Sequence, residues 1–409
     1  LIIDRSGRDS DNRRILITGG RAPVALELAR LLHETGCTIY VAESAEYHLC
    51  RVSAVVEASF TVPPPRREPL AYIAELESLI ERWQIDLLVP MCEEIFYIAN
   101  FLERLGRHCR VLSDSLELLG QLHHKYRFIE MAEAYGLPVP DTRLVTSREE
   151  WLQAWGRKDA GVPVVLKPAY SRFAARVVMP RENGNAAGGG LPAPPEDISP
   201  TLPWVAQQYI RGKAICTYSV VYKGTVVAHA AYESRYRTGR AGASVHFEQL
   251  YHQTAFQWVS RFAAATGFSG QTGFDFIETE EGMLYPIECN PRATSGIHLF
   301  GSGDGLAEAI LNPERLAEAG RTVTPMPGNQ AMLALPMLGC GLNLITRPGQ
   351  WLAWWRALCG AADVVCRPYD RKPWAEQLRI VAAAWKHSNN TGLSMTEALT
   401  EDIEWNGGG

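Results

Sequence analysis

The sequence predicts an α/β plus α+β protein whose character changes along its length. A doubly wound parallel sheet comes first, a core with antiparallel sheets follows, and a mostly helical extension closes the chain. Three observations carry this. Short apolar strands alternate with helical stretches from Arg14 to Leu112. Two β-rich runs flank the turn Thr279-Glu280-Glu281-Gly282. From about Leu311 to Trp405 the pattern is helical and rich in tryptophan. A length of 409 residues fits two or three domains, expected at 1–120, 121–310 and 311–409.

Ile15-Leu16-Ile17-Thr18 forms the first strand and ends in Gly19-Gly20. A helix is predicted from about Val24 to Glu34, with Leu26, Ala29 and Leu32 facing the core and Gly36 stopping it. Thr38 to Val41, Ile85 to Val89 and Arg110 to Leu112 repeat the strand pattern. Strands separated by helices imply a parallel sheet covered on both faces. The turn Gly19-Gly20-Arg21-Ala22-Pro23 can cradle an anion at a helix N-terminus, but its spacing is not GxGxxG, so a plain tight turn is expected. A helix from His123 to Gly136 is closed by Gly136-Leu137-Pro138-Val139-Pro140, which forces extended chain. Pro163 to Pro168 is a strand carrying Lys167 at its end. Asn183 to Pro203, rich in Gly, Ala and Pro, predicts a surface loop. Trp204 to Tyr209, Ala214 to Tyr222 and Val226 to Tyr232 predict strands, and Gln257 to Thr266 a helix.

The net charge of −5 gives no reason to expect nucleic acid or a membrane surface as partner. No apolar run approaches the ~20 residues that span a bilayer. Leu1 to Arg14 turns charged and polar after three apolar residues, unlike a signal peptide. Nine scattered cysteines without a CxxC pair argue against a zinc site or a disulfide framework. A cytoplasmic protein is the expectation.

The strongest signal lies in Gly273 to Arg292. With Glu281-Gly282 as a two-residue turn, Asp275 pairs with Glu288 across the hairpin, and cross-strand partners share a face. Asn290, two residues on, shares it too, together with Ile277 and Pro286. Facing carboxylates repel unless something positive lies between them, and such oxygen ligands suit magnesium held jointly with phosphates. A solvent-exposed acidic face is the plainer alternative, which Ile277 and Pro286 on the same face oppose.

Asp275 together with the run Glu288-Cys289-Asn290-Pro291-Arg292 resembles the metal-binding signature of the ATP-grasp superfamily, and the resemblance covers most of the chain. His124-Lys125-Tyr126-Arg127-Phe128 is similar to its lysine-bearing helix, and Val165-Leu166-Lys167-Pro168 to its second lysine strand. Gln207-Gln208-Tyr209-Ile210-Arg211-Gly212 resembles the hinge that frames adenine. The front half looks like the Rossmann-like domain that precedes ATP-grasp in the carbamoyl-phosphate synthase and biotin carboxylase branch. The resemblance implies a two-subdomain core with a lid at about 140–210, and ATP and Mg²⁺ as cofactors. Lys125 and Lys167 would contact phosphates, Gln207 to Ile210 would hold the adenine, and Asp275, Glu288 and Asn290 would hold the metal. Arg292 would stabilise charge on the transferred phosphoryl group. Where the family loop after Lys167 is glycine-rich, this chain has Ser171-Arg172-Phe173-Ala174-Ala175-Arg176, so Ser171 and Arg172 would supply side-chain donors instead. Gln207 and Gln208 stand where a glutamate is common, and Ala214 where one often reaches the ribose.

Between Tyr232 and Phe247, two glycines and three arginines suggest a lid that meets an anion. Arg235 and Arg240 are the candidates there, and a solvated basic loop is the alternative. His246 for proton transfer, Thr294-Ser295-Gly296 for the acceptor pocket, and Cys92-Glu93-Glu94 at the carboxyl end of a strand are further candidates. The Trp351, Trp354 and Trp355 stripe is expected to pack, and the acidic run 401–405 either ends a helix in solvent or caps the site. The resemblance implies an ADP-forming carboxylate–amine ligase acting on small-molecule carboxylates and amines. Bicarbonate activation and a nucleotide-binding sensor without turnover are the alternatives. Oligomeric state stays open, although relatives are often homodimers.

Overall fold

The computed structural model describes residues 12–156, 163–170, 176–180, 193–238, 242–342 and 348–408. Five parallel strands open it: β1 (Arg14–Thr18), β2 (Thr38–Glu43), β3 (Val56–Thr61), β4 (Leu87–Val89) and β5 (Arg110–Val111), in the order β3-β2-β1-β4-β5. The order in which strands are added reverses beside β1, as in doubly wound sheets. Ile15, Leu16 and Ile17 are wholly buried, so both faces of β1 are covered. Strand β3 escapes the sequence pattern because only every second residue is half-buried and the others are exposed, an edge strand with few apolar side chains. The helix Pro23–Glu34 starts on a proline, whose missing N–H costs nothing there. It buries every residue from Val24 to Leu32, including Glu27 and Arg30, because the C-terminal extension covers its outer face. The Gly19-Gly20 turn is a plain one. Ala22 N–H donates to Gly19 C=O at 3.0 Å, and the Glu43 carboxylate accepts from the Arg21 N–H where an anion would sit.

Three antiparallel strands, β6 (Thr142–Val145), β7 (Val164–Pro168) and β8 (Trp204–Gln208), form a small sheet in the order β6-β8-β7. The helix Arg148–Gly156 covers it, with Trp151 edge-on to Trp204 at 5.0 Å. The main antiparallel sheet has the order β10-β9-β12-β13, from β9 (Lys213–Tyr222), β10 (Thr225–Glu233), β12 (Gly270–Glu278) and β13 (Leu284–Asn290). Behind it the helix Gln253–Thr266 sets Trp258 edge-on to Phe274 and Phe276, and Phe262 edge-on to Phe274. Short strands β11 (His246–Glu248), β14 (Gln330–Met332) and β15 (Ala362–Asp363) tie the core to the C-terminal extension.

Four expectations change. The helix expected over 123–136 is two, Leu116–His123 and Lys125–Ala134. His124 breaks the run with extended ψ, and its Nδ1 accepts from the Tyr126 and Arg127 N–H groups, so Lys125 becomes the first residue of a helix. Of the tryptophan stripe only Trp354 is buried, while Trp351 and Trp355 stack on each other half-exposed. The acidic end is neither a solvated terminus nor a cap over the cavity described below. Asp402 pairs with Arg21 and Glu404 with Arg66, and Trp405 stacks on Phe96 at 4.5 Å. Finally, Pro286 lies opposite Phe276 on the buried face rather than beside Asp275. Of the expected loop 183–203, residues up to 192 lie outside the described ones, and 193–203 hold neither helix nor strand.

Candidate active site

The hairpin β12–β13 fixes the site through two departures from regularity. The Thr279 N–H donates to Met283 C=O, so the loop holds three residues, Glu280, Glu281 and Gly282, with Gly282 at φ 80°. An odd loop continued regularly would set Asp275 opposite Ile287. Instead the register shifts between Asp275 and Phe276, leaving Ile287 as an extra residue in β13. Asp275 then faces Glu288, as the sequence predicts, but by a different route.

The bulge also frees a carbonyl. Ile287 C=O accepts from the Lys167 ammonium at 3.0 Å, and Gln207 Oε1 accepts from the same group at 2.9 Å. Lys167 ends β7 and Gln207 lies on β8, so the small sheet is joined to the main one at this point. The Gln207 amide in turn donates to Thr142 Oγ1. Lys125, at the start of its helix, reaches Glu288 Oε2 at 3.2 Å. The Arg292 guanidinium donates to Asn290 Oδ1 at 3.0 Å and to Ala293 C=O at 3.1 Å.

Registers across four strands put Glu288, Asp275, Cys216 and Tyr232 in one transverse row. All four line a cavity of about 330 Å³ between the two antiparallel sheets, near the lower end of the ~300–1,000 Å³ usual for small-molecule sites. At its β13 end stand Lys125, Lys167, Val165 and the hinge residues Gln207, Gln208, Tyr209 and Ile210. At its β10 end stand Tyr232, Ser234, Arg237, Ser244, Thr294 and Ser295. Gly273 must be glycine here, since a Cβ would lie 2.4 Å from the Thr294 side chain.

Burial dominates the electrostatics. It drives the Lys167 ammonium down to about 7, against the pull of Glu288 and with repulsion from Lys125. Asp275 is raised, first by burial and then by the Glu288 carboxylate. Burial also acts to raise Glu288, but Lys125 and Lys167 outweigh it and hold that carboxyl low. Two acids and two lysines thus share a poorly hydrated row in which the charges are poised rather than neutralised. Among the described residues no cluster of three or more His, Cys, Asp or Glu forms a self-sufficient metal cage. Asp275 and Glu288 suit an ion whose remaining ligands come from elsewhere.

Of the sequence candidates, Lys125, Lys167, Gln207, Gln208, Tyr209, Ile210, Asp275, Glu288, Asn290, Arg292, Thr294 and Ser295 line this one cavity. Ser171, Arg172 and Arg240 lie outside the described residues. Arg235 does not join them: it is more than half exposed and pairs with Glu233. Strand β10 ends at Glu233, and beyond it the Arg235 N–H turns back to Glu233 C=O, so strand alternation does not extend to Arg235. His246 is buried, edge-on to Tyr236, and away from the cavity lining. Cys92 and Glu94 do structural work, with Glu94 Oε1 accepting from Thr18 Oγ1 and from the Met91 and Cys92 N–H groups. Sequence reasoning missed Cys216, Tyr232, Ser234, Arg237 and Ile287.

Residues 122–296 match a family model described as ATP-grasp domain. The chain is 23% identical to the C-terminal section of the carbamoyl phosphate synthase large chain of Methanopyrus kandleri, over 61% of this chain and 46% of that protein. It therefore spans about half the length of that curated relative. Among solved structures it resembles an N5-carboxyaminoimidazole ribonucleotide synthetase in its ADP complex, with a TM-score of 0.59 at 15% identity, over 82% of this chain and 86% of that one. The biotin carboxylase domain of Hydrogenobacter thermophilus 2-oxoglutarate carboxylase follows at TM-score 0.56, 17% identity and 77% and 72% coverage. The L-amino acid ligase of Bacillus licheniformis gives 0.54, 14%, and 74% and 75%. At these identities the likeness is one of fold.

Proposed function

We propose that this chain, which carries an ATP-grasp domain over residues 122–296, is an ATP-dependent, ADP-forming ligase that activates a carboxylate as an acyl phosphate for attack by an amine. The observation that carries this is the row in which Asp275 and Glu288 face each other with Lys125 and Lys167 alongside. No structural need of a sheet explains two facing half-buried carboxylates, one of them raised, next to a buried lysine depressed by its burial.

The residues fit a nucleotide with magnesium. Asp275, Glu288 and Asn290 offer only oxygens, and the ion's remaining ligands would be phosphate oxygens. Bound there, Mg²⁺ neutralises charge on the phosphates and aligns them. Lys167 and Lys125 bind the phosphates, and an arriving triphosphate restores full protonation to Lys167. The main chain at Tyr209 and Ile210 and the side chains of Val165 and Ile277 form the adenine slot. Arg292 donates to the oxygens that gain charge as the phosphoryl group moves, its fork held by Asn290 and Ala293. Ser171 and Arg172 would close over the phosphates from the segment after β7.

Bicarbonate as the activated acid is the second reading. It is favoured by the likeness to a carbamoyl phosphate synthase section and to a biotin carboxylase domain. The test is ADP release from Mg-ATP with amino acids, other carboxylates and bicarbonate, singly and in pairs with amines, beside an Asp275→Ala, Glu288→Ala double variant. The expected result is release that requires one acid and one amine, and falls at least ~10²-fold in the variant. Release with bicarbonate alone selects the second reading. ATP binding without release under every combination would reject both.

A further inference from the structure

The β10 end of the cavity differs in chemistry from the nucleotide end. Its lining includes five hydroxyls, from Tyr232, Ser234, Ser244, Thr294 and Ser295, beside the small residues Gly242 and Ala243, with Arg237 as the charged group. Among the described residues no large aliphatic side chain lines that end.

Arg237 is held from one side only. Its Nε donates to Ser234 Oγ at 2.8 Å and to Ser234 C=O at 3.2 Å, and Ser234 Oγ lies 2.5 Å from Ser244 Oγ. Among the described residues its two terminal nitrogens have no hydrogen-bond partner. On either side of Arg237, the Thr238 N–H donates to Ala243 C=O and the Val245 N–H to Tyr236 C=O. Tyr236 packs against Val245, Met337 and Trp354, and Cys340 Sγ donates to Arg237 C=O at 3.3 Å. A guanidinium with its inner nitrogen tied and its outer pair directed into a hydroxyl-lined space is arranged for a planar or tetrahedral anion. In the ligase reading Arg292, held at Asn290 and Ala293, serves the transferred phosphoryl group, which leaves Arg237 for the second substrate.

We infer that Arg237 anchors an anionic group of the second substrate, so that this end of the cavity takes a small polar molecule bearing a carboxylate or phosphate and not an apolar one. This rests on the ligase reading, in which the other end holds the nucleotide. Arg237 lines the same cavity as Cys216 and Tyr232, the two residues at the β10 side of the transverse row.

The experiment is calorimetric titration of the full chain loaded with Mg²⁺ and a non-hydrolysable ATP analogue. The probes are L-glutamate, O-phospho-L-serine, L-glutamine, L-serine and L-leucine. At least one anionic probe should bind ten-fold or more tightly than its neutral counterpart, and which of the two does so distinguishes carboxylate from phosphate. Arg237→Gln should remove that preference and Arg237→Lys keep part of it, with affinity for the analogue unchanged in both. Tightest binding of leucine, no preference for either anion, or an unaltered preference in Arg237→Gln would overturn the inference. Failure of the analogue to bind wild-type protein would sink the ligase reading itself, and the inference with it.

Discussion

Single residues in this molecule are set mainly by loss of water. His229 shows it away from the site. It is buried in the main sheet, with Nδ1 2.9 Å from Ser219 Oγ, and burial pushes it from 6.5 down to about 4. The unfolded chain takes up a proton near 6.5 and the folded one refuses it until about 4. Stability from this group is therefore complete above 6.5 and declines as pH falls toward 4. Between pH 7.5 and 5.0 the loss should be about 2 kcal/mol, at ~1.4 kcal/mol per pH unit below 6.5. Urea denaturation at the two pH values checks this, with His229→Gln expected to lose less. Identical pH dependence in the variant would refute it. Lys167 obeys the same physics within the cavity, where burial outweighs the attraction of Glu288.

At the scale of elements, the bulge in β13 is the decisive feature. A three-residue loop shifts the register by one, the extra Ile287 shifts it back, and the two together leave Glu288 opposite Asp275. The surplus residue then presents its carbonyl to Lys167. Deleting Ile287 should leave a regular ladder with Glu288 still opposite Asp275, yet remove that acceptor. A hydrogen bond to a charged group contributes ~1.5–3 kcal/mol to stability, so the melting temperature should fall by several degrees, and on the ligase reading nucleotide affinity should fall as Lys167 loses its placement. Titration with an ATP analogue and a thermal melt decide it, and unchanged affinity would mean the bulge serves only the register. The sequence carries the pairing of Asp275 with Glu288, because alternation is local, but not the bulge, because nothing in Pro286-Ile287-Glu288 marks an extra residue.

Over the whole molecule, the last described residues act as a strap. Asp402 pairs with Arg21 beside β1, Glu404 with Arg66, and Glu401 with Arg67. Trp405 is inserted between Phe96, His123 and Tyr170, where Tyr170 directly precedes the segment 171–175. The helix Glu94–Ala99, the helix before Lys125 and the chain just beyond β7 are thus joined by one side chain. Replacing a buried tryptophan by alanine costs ~3–5 kcal/mol, and Trp405→Ala should lose a comparable amount in denaturant melts. A loss under ~1 kcal/mol would show that the strap is held mainly by the largely buried Arg21–Asp402 pair, because the more exposed pairs of Arg66 and Arg67 contribute little.

Alternating strands and helices, the acidic hairpin, and the lysines at 125 and 167 were legible in the amino-acid order. Periodicity, strand pairing and the positions of charged residues within apolar runs are properties of short stretches of chain. Tertiary structure alone decided the rest: that Arg237 and not Arg235 enters the cavity, that Cys216 and Tyr232 complete the row begun by Glu288 and Asp275, and that the C-terminal tryptophan closes on the N-terminal domain. Those outcomes depend on which segments pack against one another across tens to hundreds of residues, and burial, which sets the charges in the site, does not exist until they do.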